Sequence, residues 1–225
     1  MSRTDITRLD RKASTDRSVL DALLDESIVG HLGLVRDDGP VVLPTAVARD
    51  GDRVLLHGST GSPWMRAAAG GAPVSLAVTA VDALVVARSA FESSIRYRSA
   101  VLFGTCTPLE GDAKAAALDV LTEHLLPGRV AEVRRPSAKE LAATLVLALP
   151  IDEWSLKVSG GWPEDEPDDV DGDAWAGIVP LRTGYGAPVA APDLRDGIPV
   201  PRSVDLMRGG VPAGAGADGD VERHL

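Results

Sequence analysis

Val19, Leu20, Leu23, Leu24 and Ile28 recur at helical spacing, predicting a first amphipathic helix capped by Thr15 or Asp16 and stopped at Gly30. Short apolar runs then alternate with turn residues. His31 to Arg36 reads as a strand, Asp37-Asp38-Gly39 as a hairpin turn, and Val41 to Arg49 as a strand interrupted by Pro44. Proline cannot donate to a ladder, so an edge or a bulge is expected there, with backbone groups left free. Asp50-Gly51-Asp52 turns the chain into a short apolar strand that begins at Arg53. Further strands are predicted over Val74 to Thr79, Ala83 to Arg88 and Tyr97 to Leu109, the last being the longest. Asp112 is expected to cap a helix carrying Leu118, Leu121 and Leu125 and ended by Pro127-Gly128. Ser137 and Glu140 have capping-box spacing. Ala143 to Leu149 and Trp154 to Val158 complete the strands, and Trp175 to Leu181 is a last ordered piece. Many short strands without regular strand–helix alternation predict a mainly β fold, an antiparallel barrel with peripheral helices.

The stretch Arg53-Val54-Leu55-Leu56-His57-Gly58-Ser59-Thr60-Gly61-Ser62-Pro63-Trp64-Met65-Arg66 organises the chain. A strand runs through a turn rich in glycine and hydroxyls into a helix start. Pro63 suits the first helical position and Ser62 the N-cap. Such a bend aims free amides and a positive dipole end at one spot, which suits a phosphate, with Ser59, Thr60 and Arg66 as further donors. An ordinary strand–turn–helix connection is the alternative reading of this stretch.

Composition narrows the partners. Residues 1–14 read as a polar lead-in, 15–205 as one domain with a C-terminal extension, and 206–225 as a flexible tail. The net charge of −10 argues against nucleic acid or an anionic membrane surface. Much of it sits in Glu164, Asp165, Glu166, Asp168, Asp169, Asp171 and Asp173. A single cysteine, Cys106, permits no internal disulfide, and no apolar run reaches membrane-spanning length, so a cytoplasmic location is expected. With 4% aromatic residues the core must be built from Val, Leu and Ala.

Several motifs fail on context. Gly214, Gly216 and Gly219 match a dinucleotide-binding glycine pattern, but no strand precedes them. Asp169, Asp171 and Asp173 mimic a calcium loop, yet Ala174 and Pro180 stand where Gly and an acidic residue are needed. His31, His57, His124 and His224 are scattered, so no zinc cluster is evident. His57, ending an apolar strand, is either a structural histidine or a base. Tyr97, Ser99 and Lys157 can equally be ordinary strand residues, with Lys157 snorkelling.

Val42-Leu43-Pro44-Thr45, Leu56 to Ser62, and Tyr97 to Gly104 closely resemble the pyridoxamine 5′-phosphate oxidase-like flavin-nucleotide-binding proteins, in particular the branch with nitroimidazole-resistance reductases. Pro127-Gly128-Arg129, Ser155 to Val158 and Trp175 to Leu181 extend the resemblance over roughly Arg11 to Val204. It implies an FMN-binding split β-barrel, a homodimer with FMN in a groove between subunits. Leu43, Pro44 and Thr45 would edge the isoalloxazine ring, and Gly58 to Ser62 would hold the phosphate. Tyr97 and Ser99 would line the flavin, while Lys157 and the Trp175 segment would approach from the later strands near the dimer seam. The chain departs from the family at Pro63, Arg96 and Ser159, where Arg or Lys, Asn, and Arg are usual; Arg66 or Arg96 would compensate.

The candidate cofactor-binding residues are therefore Leu43, Pro44, Thr45, His57, Gly58, Ser59, Thr60, Ser62, Arg66, Tyr97, Ser99 and Lys157. The expected function is FMN-dependent oxidation or reduction of a small molecule. No catalytic side chain is singled out, because hydride transfer through a flavin needs no protein acid or base. The alternatives are a barrel that has exchanged FMN for deazaflavin, haem or no cofactor, and a non-catalytic flavin sensor or carrier.

Overall fold

A computed structural model describes residues 3–209. After a short 3-10 turn at Asp10–Lys12, β1 (Ala13–Ser14) leads into α1 (Arg17–Glu26). Asp16 caps this helix by accepting from the Ser18 amide at 2.9 Å. Leu20, Leu23 and Leu24 bury its apolar side. The helix ends sooner than expected, at Glu26. The extended backbone of Ser27 starts the approach to β2 (Val29–Arg36) and leaves Ile28 exposed. Gly30 is not the stop but a buried strand residue. A Cβ there would lie 2.8 Å from Leu76 Cδ1 and 2.9 Å from Val47 Cγ1, so glycine is required by packing.

The sheet continues through β3 (Gly39–Asp50) and β4 (Arg53–Ser59), then α2 (Pro63–Ala69), β5 (Pro73–Val86), β6 (Ser94–Thr105) and β7 (Thr107–Pro108). After α3 (Gly111–Leu125) and α4 (Ala138–Ala143) come β8 (Thr144–Pro150), β9 (Glu153–Ser159), α5 (Pro167–Val170), β10 (Gly177–Pro180) and α6 (Arg202–Gly209). The strands form one antiparallel path, β1-β9-β6-β5-β2-β3-β4-β8-β7, with β10 added along β5. Because β7 follows β6 after the single residue Cys106 and pairs with β8, the path curls back into a barrel. This is the mainly β, split-barrel architecture expected.

Several expected boundaries move. Val74 to Thr79 and Ala83 to Arg88 are one strand, β5. What reads as a break is a bulge between Val81 and Ala83. The bulge turns Asp82 onto Arg98, whose Nη2 and Nε donate to its carboxylate at 2.6 and 3.1 Å. At 14 residues β5 is longer than β6, which stops at Thr105 rather than Leu109. Asp112 lies in the first turn of α3 while Glu110 occupies the N-cap. The Ser137–Glu140 capping box of α4 forms as expected. Helix α6 runs into the stretch expected to be a flexible tail; the rest of that stretch, with Gly214, Gly216, Gly219 and His224, lies outside the described residues.

Strand β4 shows why three consecutive apolar residues are buried. Val54 and Leu56 point into the barrel with Leu32, Leu76, Leu102, Leu147 and Leu149. Leu55 points outward, beneath α3, with Ala48, Ala117, Leu121, Val146 and Ala148. A strand covered on both faces reads as a continuous apolar run rather than an alternation. The C-terminal extension is tied down at separate points. Asp165 accepts from the Arg88 amide at 2.6 Å and from its guanidinium at 2.8 Å. Glu132 accepts from the Ser203 amide at 3.0 Å and hydroxyl at 2.5 Å. No helix among the described residues is long and apolar enough to cross a membrane.

Candidate functional site

The site is built where two paired strands separate. Residues Val47 to Asp50 of β3 pair with Arg53 to Leu56 of β4. Beyond Val47 and Leu56 the two diverge: β3 continues along β2 from Ala46 to Gly39, and β4 continues along β8 from His57 to Ser59. Each strand thus presents to the other an edge without a ladder partner among the described residues. Pro44 stands on the free edge of β3, in register with His31 and without a bulge, so the edge half of the expectation holds. A proline costs nothing on such an edge. Leu43 packs against the core, Thr45 follows it on that face, and Pro44 is exposed on the other. The core side of the opening is closed by α2, whose Met65 is buried against Gly58. A Cβ on Gly58 would lie 2.9 Å from Met65 Cγ.

The bend from β4 into α2 is exposed at Ser59, Thr60 and Gly61. Part of its donor set is used internally. The Thr60 amide donates to the Ala143 carbonyl at 3.0 Å, the Gly61 amide to Ser59 Oγ at 3.1 Å, and the Ser62 amide to the Ser59 carbonyl at 3.0 Å. Ser62 occupies the N-cap position as expected, but its hydroxyl accepts no amide of the helix. The first-turn amides of Trp64 and Met65 therefore have no acceptor among the described residues. Arg66 is exposed and its Nη1 donates to the Thr60 carbonyl at 3.0 Å, which fixes a cation on the bend. Arg96 is elsewhere: its Nε donates to the Gly161 carbonyl at 3.1 Å and it stacks over Trp162 at 5.2 Å. Of the two possible compensating cations, the structure places only Arg66 beside the hydroxyl-rich turn.

Tyr97, Ser99 and Lys157 come together, but not with the bend. Ser99 pairs with Lys157 and Tyr97 with Ser159 across β6 and β9, on the face opposite buried Ala100 and Leu156. Lys157 Nζ reaches the Arg8 carbonyl at 3.4 Å, and Lys12 Nζ lies 5.9 Å from the centre of the Tyr97 ring. Pro44 shares this outward face, through the row Pro44, His31, Ala77 and Val101. Along the sheet path, β5, β2 and β3 lie between β6 and β4. The outward face also exposes Val29, Val35, Val42, Val81, Leu84 and Ile95.

His57 points away from the opening. Two residues beyond Leu55, it lies on the same outer side of β4, under α3. There it lines a cavity of about 450 Å³ with Leu118, Thr122, Val133, Arg134, Pro136, Glu140 and Thr144. Its Nδ1 is buried without a hydrogen-bond partner. Burial pushes the pKa of the ring down, so it is neutral at physiological pH. Sequence reasoning did not find the other walls of this cavity, because they come from helix and loop residues distant in the chain. Cys106 is buried and its thiol is pushed up to about 11 by desolvation, so no reactive thiol serves the site.

A family model for pyridoxamine 5′-phosphate oxidase matches residues 16–158. Among solved structures, the FAD and haem binding protein from Mycobacterium smegmatis is 56% identical, with a TM-score of 0.85, over 88% of this chain and 98% of that one. The flavocytochrome Anf3 from Azotobacter vinelandii is 34% identical with the same TM-score of 0.85, over 93% of this chain and 98% of that one. A 5-nitroimidazole antibiotic resistance protein from Bacteroides thetaiotaomicron shares the fold, at 20% identity and a TM-score of 0.56, over 65% of this chain and 86% of that one. No curated protein matches the chain. With the family match covering well over half its length, the chain belongs to the pyridoxamine 5′-phosphate oxidase family and has its flavin-binding split-barrel fold.

Proposed function

We propose that the protein is a flavin-dependent oxidoreductase of a small molecule, with FMN, or FAD as its longer form, bound where β3 and β4 part. The observation that carries this reading is the bend at Ser59 to Ser62, exposed as far as Gly61, with Arg66 fixed beside it and the amides of Trp64 and Met65 unclaimed among the described residues. That donor set fits a phosphate. The free edge at Leu43 to Thr45 fits the polar rim of a planar ring, since its backbone groups on that side have no ladder partner. When bound, the flavin supplies hydride transfer at its own ring. The protein's residues bind and orient it and keep water off its face. The Thr60–Ala143 bond and the Arg66–Thr60 bond hold the bend in shape without a ligand, so little ordering is left for binding to cost.

The exposed apolar outward face supports a homodimer in which a second copy brings Tyr97, Ser99 and Lys157 to the opening of the first. This would join on one flavin the two groups that one chain keeps apart. The soluble, cytoplasmic setting expected from composition is compatible with this chemistry.

The test is the visible spectrum of the purified protein, followed by titration of the flavin-free form with FMN and with FAD. Saturable binding and turnover with NADH or NADPH and an acceptor support the proposal. Bound flavin without turnover points to a sensor or carrier, and absence of saturable binding refutes the flavin site.

A second reading is that a haem accompanies the flavin. It draws on the 56% identical structure, named for binding FAD and haem, and on the unpartnered His57 ring in its cavity. The cavity offers that group an imidazole, apolar walls at Leu118, Val133 and Pro136, and the Arg134–Glu140 ion pair at its edge. Absorbance during titration with hemin tests it directly.

A further inference from the structure

We infer that His57 is the axial ligand of a haem seated between β4 and the α3–α4 segment; this rests on the second reading above. Nδ1 of His57 is enclosed and has no partner, and no hydrogen bond engages Nε2 among the described residues, so Nε2 is the ring atom free to reach the cavity. At about 450 Å³ the cavity lies within the range of cofactor pockets.

Three residues of its lining suit a flat apolar macrocycle. Leu118, Val133 and Pro136 give apolar walls. The two threonines add methyl groups rather than hydroxyls. Thr122 Oγ1 donates to the Leu118 carbonyl at 2.8 Å and Thr144 Oγ1 to the Glu140 carbonyl at 2.9 Å. Arg134 stands at the edge, 72% exposed, held by Glu140 through bonds of 2.8 and 2.6 Å. Both of its terminal nitrogens already donate to the Glu140 carboxylate, so an entering carboxylate has to share or displace that partner. The competing histidines are less suited. His124 Nε2 is engaged with the Ser27 carbonyl at 2.9 Å, and His31 stands exposed on the outward sheet face.

The experiment titrates the full-length protein with hemin and follows the Soret band, for the wild type, His57→Ala, His31→Ala and Leu118→Trp, each checked for folding by circular dichroism. The wild type and His31→Ala are expected to saturate with a sharp, shifted Soret band. His57→Ala is expected to lose at least tenfold in affinity and to regain the band when imidazole is added. Leu118→Trp, which leaves His57 in place but fills the cavity, is expected to lose uptake as well. If the wild type takes up no hemin, the haem reading falls and this inference with it. If the wild type binds while His57→Ala keeps the same band, or Leu118→Trp binds normally, the haem reading survives and the assignment of His57 or of its cavity is overturned.

Discussion

Val47 and Leu56 are the last residues that β3 and β4 hold in register, and the site begins where their ladder ends. On one side of that point the sheet is continuous. On the other, the edge carrying Pro44 and the bend carrying Thr60 face an opening closed from behind by Met65.

Arg66 is the cation fixed on the bend, so reversing its charge is expected to weaken flavin affinity. Charge-assisted contacts are worth about 1.5–3 kcal/mol, so Arg66→Glu should cost tenfold or more in Kd. Arg96→Glu, engaged with Gly161 and Trp162, should change it far less. Flavin fluorescence titration of the two variants checks both; equal losses would remove Arg66 from the site.

Val42 is 67% exposed on the outward face, on the same strand as Pro44. A carboxylate there would be desolvated in any interface formed by that face. Val42→Asp should therefore convert a dimer to monomer in sedimentation analysis and weaken flavin binding with it, while leaving the fold intact.

Gly30 illustrates a cost that the chain itself carries. Gly30→Ala forces a Cβ against Leu76 and Val47, inside the barrel, and should destabilise the fold by about 1–3 kcal/mol in chemical denaturation. An unchanged midpoint would show that the two side chains can withdraw.

Acid should release α6. The hydrogen bonds from Ser203 hold the Glu132 carboxyl below the usual carboxylate range. A depressed folded-state pKa stabilises above the unfolded pKa, near 4.3, and that contribution is lost as pH falls through the lower folded value. Amide hydrogen exchange over residues 202–207 should therefore accelerate, relative to the barrel strands, as pH drops below about 4. Ser203→Ala should show the faster exchange already at neutral pH.

Much of this was legible in the sequence because local chemistry decided it. Ser137 with Glu140 had one physical outcome, the cap before the first apolar repeat was narrowed to Thr15 or Asp16, and Pro44 in a strand to an edge or a bulge. Ser62 illustrates the limit: its position was readable but the direction of its hydroxyl was not. Gly30 misled because glycine stops helices and also relieves crowding inside barrels, and only the tertiary neighbours Leu76 and Val47 distinguish the two. The Val81–Ala83 bulge was hidden for a similar reason, since Asp82 interrupts an apolar run in order to meet Arg98, sixteen residues on. For His57 the residue was found but not its direction, because which face a strand end presents depends on α3 and α4.

A crystal structure of the protein grown with FMN or FAD tests the central claim most directly. The account predicts the isoalloxazine ring along Leu43 to Thr45 and the phosphate at Ser59 to Ser62 within reach of Arg66. Flavin density elsewhere, with the bend covered by protein, would contradict it.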